Sequence, residues 1–193
     1  MKCLCLVFDK IKYPDYFMSV EVKGKKLLFT RKQIDDKVRA LAQQINQDYQ
    51  GKNPILIGVL KGAFMFLADL TRYISIPFKI DFLRVVSYGS KDYSTGDIKL
   101  IKDVELPLKD EHVLIVEDII DIGYTLNFLL DHIATKGPKS LKLCALIDKI
   151  ERRKVEVPTD YVGFTVKKGF LVGYGLDFNE TFRCLPEIYQ LIF

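Results

Sequence analysis

Two short apolar runs, Pro54-Ile-Leu-Ile-Gly-Val-Leu60 and His112-Val-Leu-Ile-Val116, each give way to a glycine-bearing turn and then to a segment with helical spacing. That alternation leaves few architectures open. Lys61-Gly62 separates the first run from an apolar stretch over Phe64 to Ile74, which reads as strand, tight turn, helix. Beyond Gly123, the set Leu126, Leu129, Leu130 and Ile133 makes one helix face, stopped by Gly137-Pro138. Leu141, Leu143, Ala145 and Ile147 then alternate as a further strand. Upstream, Thr30 with Gln33 forms a capping-box pattern, and Ile34, Val38, Leu41, Ile45 and Tyr49 follow at helical spacing until Gly51, so a helix is predicted over about Arg31 to Gln50. Phe78, Ile80 and Phe82 alternate with Lys79 and Asp81 in a strand leading to Val86, and the Ser-, Gly-, Asp- and Tyr-rich stretch from Ser87 to Asp97 reads as a long mobile loop. Strands alternating with helices at this spacing predict an α/β fold: a mainly parallel central sheet, helices on both faces, right-handed crossovers, and ligands at the carboxyl ends of the strands. The short apolar runs from Tyr161 to Val166 and Phe170 to Tyr174 lack a long helical pattern. They are expected to form strands and a small hood over that edge, built from the N-terminal segment and about residues 160–193.

At 193 residues and 49% apolar side chains, one sizeable core is the expectation, hence a single domain over residues 1–193. The apolar run Met1 to Phe8 is too short for a signal core and is closed by Asp9 and Lys10, so no secretory or membrane-spanning segment is expected. Cys3, Cys5, Cys144 and Cys184 form no CxxC pair and lie far from both histidines. This argues against a zinc site or a disulfide framework and points to free thiols in a reducing compartment, the cytoplasm by default. The net charge of +4 is modest, and the densest basic run, Lys149 with Arg152, Arg153 and Lys154, reads as a solvated turn. Nucleic-acid binders concentrate charge on one face or interleave it with aromatics, so no nucleic-acid partner and no membrane partner are expected; a small anionic ligand suits the balance better.

The chemistry concentrates in Val113 to Thr125, where a buried strand ends in the carboxylates Glu117, Asp118 and Asp121 and opens a helix through Gly123. Backbone N–H groups over Asp121 to Thr125 at a helix N-terminus make a seat for a phosphate. Ile122, Gly123, Tyr124 and Thr125 therefore belong to that seat, with the Thr125 hydroxyl as a further donor. Glu117 and Asp118 are acceptor-only groups when ionised and suit the two hydroxyls of a ribose. Sugar at one end and phosphate at the other describe a ribose 5-phosphate. Acids that merely favour a helix N-terminus would explain one carboxylate there; three in this order are harder to dismiss.

Val116-Glu-Asp-Ile-Ile-Asp-Ile-Gly-Tyr-Thr125 is very similar to the phosphoribosyl-pyrophosphate motif of type I phosphoribosyltransferases, in particular their hypoxanthine-guanine branch. Gly58-Val-Leu-Lys61-Gly62, Asp81-Phe-Leu-Arg84 with Ser87-Tyr88, Ser94-Thr-Gly-Asp97, and Val172-Gly-Tyr-Gly-Leu-Asp177 with Phe182-Arg183 extend the resemblance from about Phe29 to Ile192. It implies the type I phosphoribosyltransferase fold and a purine-salvage reaction in which hypoxanthine or guanine and 5-phosphoribosyl 1-pyrophosphate give the nucleotide and pyrophosphate. In that pattern Asp121 is the general acid/base for the purine N7 proton. Lys149 donates to the exocyclic O6 and so disfavours adenine, whose amino group would meet an ammonium donor. Phe170 stacks on the purine, the Leu171 backbone reads its edge, and Asp177 lies near the exocyclic position and a magnesium ion. Lys61, Gly62 and Arg183 grip the pyrophosphate, and in relatives the Leu60-Lys61 turn can hold a cis peptide. Ser87 and Tyr88 belong to a lid that keeps water from the reacting sugar. Mg2+ is implied by the pyrophosphate leaving group, with Glu117, Asp118 and Asp177 as its protein ligands. Relatives of this fold are usually homodimers or homotetramers.

Four positions depart from the pattern. Ile122 stands where relatives commonly carry threonine, Tyr124 where they carry lysine, and Lys168-Gly169 where an acidic and then a basic residue precede the stacking aromatic. The first change removes a hydroxyl donor to the 5′-phosphate. Two other readings stay open at this point: a catalytically weak nucleotide-binding regulator, and a transferase preferring xanthine or another base. The ranking of hypoxanthine, guanine and xanthine is equally open.

Overall fold

The computed structural model describes residues 22–88 and 97–193, with the side chains of 87, 88 and 97 outside that description. The chain runs β1 (Gly24–Phe29), α1 (Arg31–Asp48), β2 (Ile55–Leu60), α2 (Phe64–Tyr73), β3 (Lys79–Tyr88), β4 (Asp97–Lys102), β5 (His112–Ile120), α3 (Tyr124–Ala134), β6 (Ser140–Lys149), β7 (Tyr161–Val166), β8 (Phe170–Val172) and β9 (Ile188–Ile192). Strands β2 to β7 form one six-stranded sheet in the order β4-β3-β2-β5-β6-β7; every pairing is parallel except the antiparallel edge β3-β4. From β2 the connections build outward to β3 on one side, and from β5 to β6 and β7 on the other. The order therefore reverses between β2 and β5, and a crevice for ligands opens beyond the carboxyl ends of those two strands.

Side chains alternate across the sheet and build two cores. Ile55, Ile57, Val113 and Ile115 pack with Leu126, Leu129 and Ile133 of α3. Their neighbours Leu56, Leu114 and Val116 pack with Ile34, Val38 and Ile45 of α1 and Phe66 and Leu70 of α2. Period-two alternation makes these opposite faces, with helices on both, as the sequence predicts. Helix α1 begins at the expected capping box: Gln33 N–H donates to Thr30 Oγ1 (3.2 Å) and Thr30 N–H to Gln33 Oε1 (2.9 Å). It ends at Asp48 rather than Gln50, because Tyr49 leaves helical geometry while its N–H still bonds Ile45 O.

Two expectations are corrected. Ser87, Tyr88 and Asp97, expected in a loop from Ser87 to Asp97, have strand backbone, because β3 runs to Tyr88 and pairs with β4; residues 89–96, Ser94 among them, lie outside the described residues. Tyr161–Val166 is not hood. It extends the main sheet by pairing parallel with β6. The hood is an antiparallel sheet in the order β1-β9-β8, so its C-terminal part starts near Phe170 rather than residue 160, and its expected N-terminal part is represented by β1. Between β8 and β9 the chain curls tightly, with positive φ at Gly173, Tyr174, Gly175, Asn179, Glu180 and Phe182. The Tyr174 hydroxyl, hydrogen-bonded to Asp69 of α2 (2.8 Å), anchors that curl to the main domain.

Candidate active site

Three chain segments meet at the crevice. The turn after β2 carries Lys61 and Gly62, and its Leu60-Lys61 peptide is cis, as the resemblance allowed. Gly62 lies between the other two. A Cβ on it would sit 1.8 Å from Asp118 Oδ2, and one on Gly175 would sit 2.1 Å from Gly62 O. Both glycines are thus demanded by close approach, which brings the β5 acids, the β2 turn and the Gly173 to Arg183 curl into one place.

Strand β5 continues to Ile120, so Glu117 and Asp118 lie within the strand rather than at its tip, and both are buried. Burial, reinforced by the neighbouring Asp118, pushes the Glu117 carboxyl well above the usual carboxylate range. Asp118 Oδ1 accepts the Ile119 N–H at 2.9 Å. Asp121 follows the strand. Its Oδ2 lies 3.1 Å from Lys149 Nζ and 3.6 Å from Arg152 Nη1, while Oδ1 is buried with no hydrogen-bond partner among the described residues. A buried carboxylate oxygen left unsatisfied is costly in a folded protein and marks a place where a ligand proton can be accepted.

Lys149 sits at the end of β6 and is 5% exposed, which rules out the solvated-lysine reading. Glu151-Arg152 forms a turn and Arg152 and Lys154 are exposed, so the solvated-turn reading holds for those two cations but not for Arg153. Arg153, which sequence reasoning passed over, donates from Nε to Asp121 O (2.9 Å) and from Nη2 to Ile120 O (3.2 Å) and Lys149 O (3.2 Å), and it pairs with Asp148. It clamps the ends of β5 and β6 and so fixes Asp121 relative to Lys149. The Lys154 and Val155 N–H groups bond Ile122 O. The carbonyl of Val155 lies where a Gly123 Cβ would come within 2.3 Å, and Gly123 has φ +103°. Gly123 is therefore required by the 152–155 loop as well as by any phosphate. No side chain caps α3, whose N-terminus at Tyr124 and Thr125 presents its backbone donors toward the phosphate seat.

In the hood, Phe170 is 40% exposed and meets Phe178 and Phe193 edge-on at centroid distances of 5.4 and 6.0 Å, so it is a presented ring and not core. Leu171 is buried in β8 opposite Gln190. Gly169 has φ +113°, its N–H donates to Glu151 (3.1 Å), and Lys168 beside it is exposed. Asp177 Oδ1 pairs with Arg183 Nη2 at 2.8 Å, and its Oδ2 accepts the Glu180 N–H at 2.9 Å. Lys61 Nζ reaches Glu180 Oε2 at 2.9 Å. Glu180 was not picked out from the sequence, where it is one acid among many.

The described residues contain no group of three or more side chains placed to hold a metal together. Glu117 and Asp118 are neighbours in β5, while Asp177 lies in the curl after β8. The carboxylate oxygens still suit a hard cation that keeps most of its shell from water and a bound phosphate. The backbone at Ser87 and Tyr88 belongs to β3, and the side chains of this expected lid lie outside the description.

A family model for the phosphoribosyl transferase domain matches residues 28–179. The hypoxanthine-guanine phosphoribosyltransferase of Aquifex aeolicus is 45% identical over 174 residues, covering 89% of this chain and 98% of the relative. The bifunctional protein TilS/HprT of Listeria monocytogenes is 43% identical over 164 residues; the match takes in 85% of this chain but only 25% of that protein, so the chain spans about a quarter of that relative. Among solved structures, a hypoxanthine-guanine phosphoribosyltransferase from Bacillus anthracis with a HEPES molecule in its active site superposes with a TM-score of 0.83 at 45% identity, covering 89% of this chain and all of the other. With a strand-turn-helix junction, a carboxylate paired with a buried lysine and a hood on the same crevice, the chain belongs to the phosphoribosyltransferase family.

Proposed function

We propose that the chain transfers the 5-phosphoribosyl group of 5-phosphoribosyl 1-pyrophosphate to N9 of hypoxanthine or guanine, releasing pyrophosphate. The observation that carries this reading is the Asp121–Lys149 pair: a carboxylate with one oxygen 3.1 Å from a buried ammonium and the other buried without a partner among the described residues. The 5′-phosphate takes the backbone donors at the start of α3, and Glu117 and Asp118 face the ribose hydroxyls. Phe170 of the hood stacks on the purine. Its O6 then accepts from Lys149, and its N7 proton is within reach of Asp121. As N9 bonds to the sugar carbon, the bond to the pyrophosphate oxygen breaks with its electron pair leaving on that oxygen, and Asp121 takes the N7 proton. Lys61 and Arg183 hold the leaving group, and Ser87 and Tyr88 close over the sugar. Mg2+ would be held by the Glu117, Asp118 and Asp177 carboxylates and would supply charge neutralisation for the leaving pyrophosphate.

The relatives' names support a protein acting on small molecules, and the buried Cys144 thiol supports a reducing, cytoplasmic setting; none of the described helices is long and apolar enough to cross a membrane. Exposed Ile80 and Ile101 on β3 and β4 support a homodimer or homotetramer, to be checked by light scattering. The deciding experiment follows absorbance with Mg2+ and the ribose donor against hypoxanthine, guanine, xanthine and adenine, for the native protein and Asp121→Asn. Turnover of hypoxanthine or guanine is expected, lost by about 100-fold or more in Asp121→Asn and absent with adenine. Activity confined to xanthine would keep the mechanism and change the base; nucleotide binding with no turnover would overturn it.

A further inference from the structure

Lys61 and Arg183 are far apart in the sequence, yet both reach one carboxylate oxygen: Glu180 Oε2 lies 2.9 Å from Lys61 Nζ and 3.3 Å from Arg183 Nη2. We propose that Glu180 is an internal counter-anion seated on the two pyrophosphate-holding cations, so that pyrophosphate and its ribose ester bind by displacing a carboxylate of the chain itself. The inference rests on the reading of Lys61 and Arg183 given above.

The rest of Arg183 is turned away from solvent: its Nε is buried, with no hydrogen-bond partner among the described residues. Its Nη1 donates to Gly175 O at 2.8 Å, and Nη2 also holds Asp177 Oδ1 at 2.8 Å. The side of the cation pair that can receive an incoming anion is the side Glu180 occupies. The main chain of Glu180 is fixed, with φ +61° and its N–H on Asp177 Oδ2 (2.9 Å), whereas its side chain is 64% exposed. The carboxylate can therefore swing into solvent without moving the curl that holds Asp177 and Arg183. Lys61 is itself 45% exposed, so the pair is a solvated one and readily exchanged. A polyanion with several oxygens outcompetes a single carboxylate on a lysine and an arginine. In its absence the glutamate keeps two like charges from facing each other bare, which holds the site open at a modest cost in affinity.

The test is titration calorimetry of inorganic pyrophosphate in MgCl2 with the native protein, Glu180→Gln, Glu180→Ala and Lys61→Met, with GMP as a second ligand and thermal melts to verify folding. Glu180→Gln and Glu180→Ala should both bind pyrophosphate roughly two- to fivefold more tightly, the ratio expected from removing one solvent-exposed, weakly held carboxylate from the two cations. The gain should shrink as salt is raised, and GMP affinity should not change. Unchanged or weaker pyrophosphate binding in both Glu180 variants, with Lys61→Met still weakening it, would overturn the counter-anion alone. Pyrophosphate binding indifferent to Lys61→Met would overturn the pyrophosphate reading of that lysine and the counter-anion with it.

Discussion

At the scale of single residues, the site is a set of unlike solutions to one problem, how to keep charge in a buried crevice. Asp121 was legible as one of three carboxylates where a buried strand opens a helix, whereas Lys149 was legible only through the family resemblance, since spacing alone placed it in a solvated basic run. Arg153 was not legible: its side chain is only 12% exposed, but nothing in the Lys149 to Lys154 run distinguishes a clamp from a solvated cation before β5 and β6 are known to be neighbours. Lys149→Ala leaves the Asp121 carboxylate with only the longer contact to Arg152 and takes away the donor proposed for O6. A hydrogen bond to a charged group is worth about 1.5–3 kcal/mol, so kcat/KM for hypoxanthine should fall by about 10- to 100-fold in steady-state assays. An unaltered kcat/KM would remove Lys149 from base recognition. Ile122 offers the opposite experiment. Restoring a hydroxyl beside the backbone donors of α3 with Ile122→Thr should tighten binding of the ribose donor by about 10- to 100-fold by the same arithmetic, read as its KM. A KM that does not move would mean that the seat is complete with main-chain donors alone.

Elements were legible where local pattern decides them and hidden where pairing does. The capping box at Thr30 and the apolar spacing of α1 are properties of a few consecutive residues. Strand β4 has no such signature: Asp97-Ile-Lys-Leu-Ile-Lys102 becomes a strand because β3 offers it an edge, and β7 joins the main sheet because β6 does. Asp81, part of the quoted family resemblance, turns out to work as a strut, accepting the Phe82, Glu105 and Leu106 N–H groups at 2.7, 2.7 and 2.8 Å. The junction of β5 and α3 is where element geometry governs function. Gly123 combines φ +103° with a carbonyl that would lie 2.3 Å from an added Cβ. Gly123→Ala must therefore displace the Val155 strap or abandon the turn, at a cost of about 1–3 kcal/mol. Chemical denaturation should show that loss, and binding of a nucleoside 5′-monophosphate should weaken with it. Full stability in Gly123→Ala would show that the strap relaxes without strain.

For the molecule as a whole, the question is what holds the antiparallel edge and helix α3 to the parallel core at the pH values where carboxylates begin to protonate. Asp103, just after β4, accepts from Lys136 Nζ at 2.7 Å, from the His132 ring at 3.0 Å, and from the Val104 N–H at 2.8 Å, tying the edge strand to the far end of α3. Burial by itself would raise its pKa; the hydrogen bonds from Lys136 and His132 outweigh that and hold the carboxyl at about 2, against 3.8 for the ordinary group. A carboxyl whose pKa is lower in the folded state stabilises the fold fully above the unfolded value, and that contribution is lost as pH falls through the folded value, here between about 4 and 2. Because the carboxylate is 36% exposed, solvent screening reduces its worth to about 1 kcal/mol. Urea unfolding of Asp103→Asn should therefore show a deficit of that size at pH 6, narrowing below about pH 4 until the two proteins converge near pH 2. A gap that persists unchanged to the lowest pH would mean that Asp103 acts through its shape and neutral hydrogen bonds, and that the tie between β4 and α3 is not electrostatic.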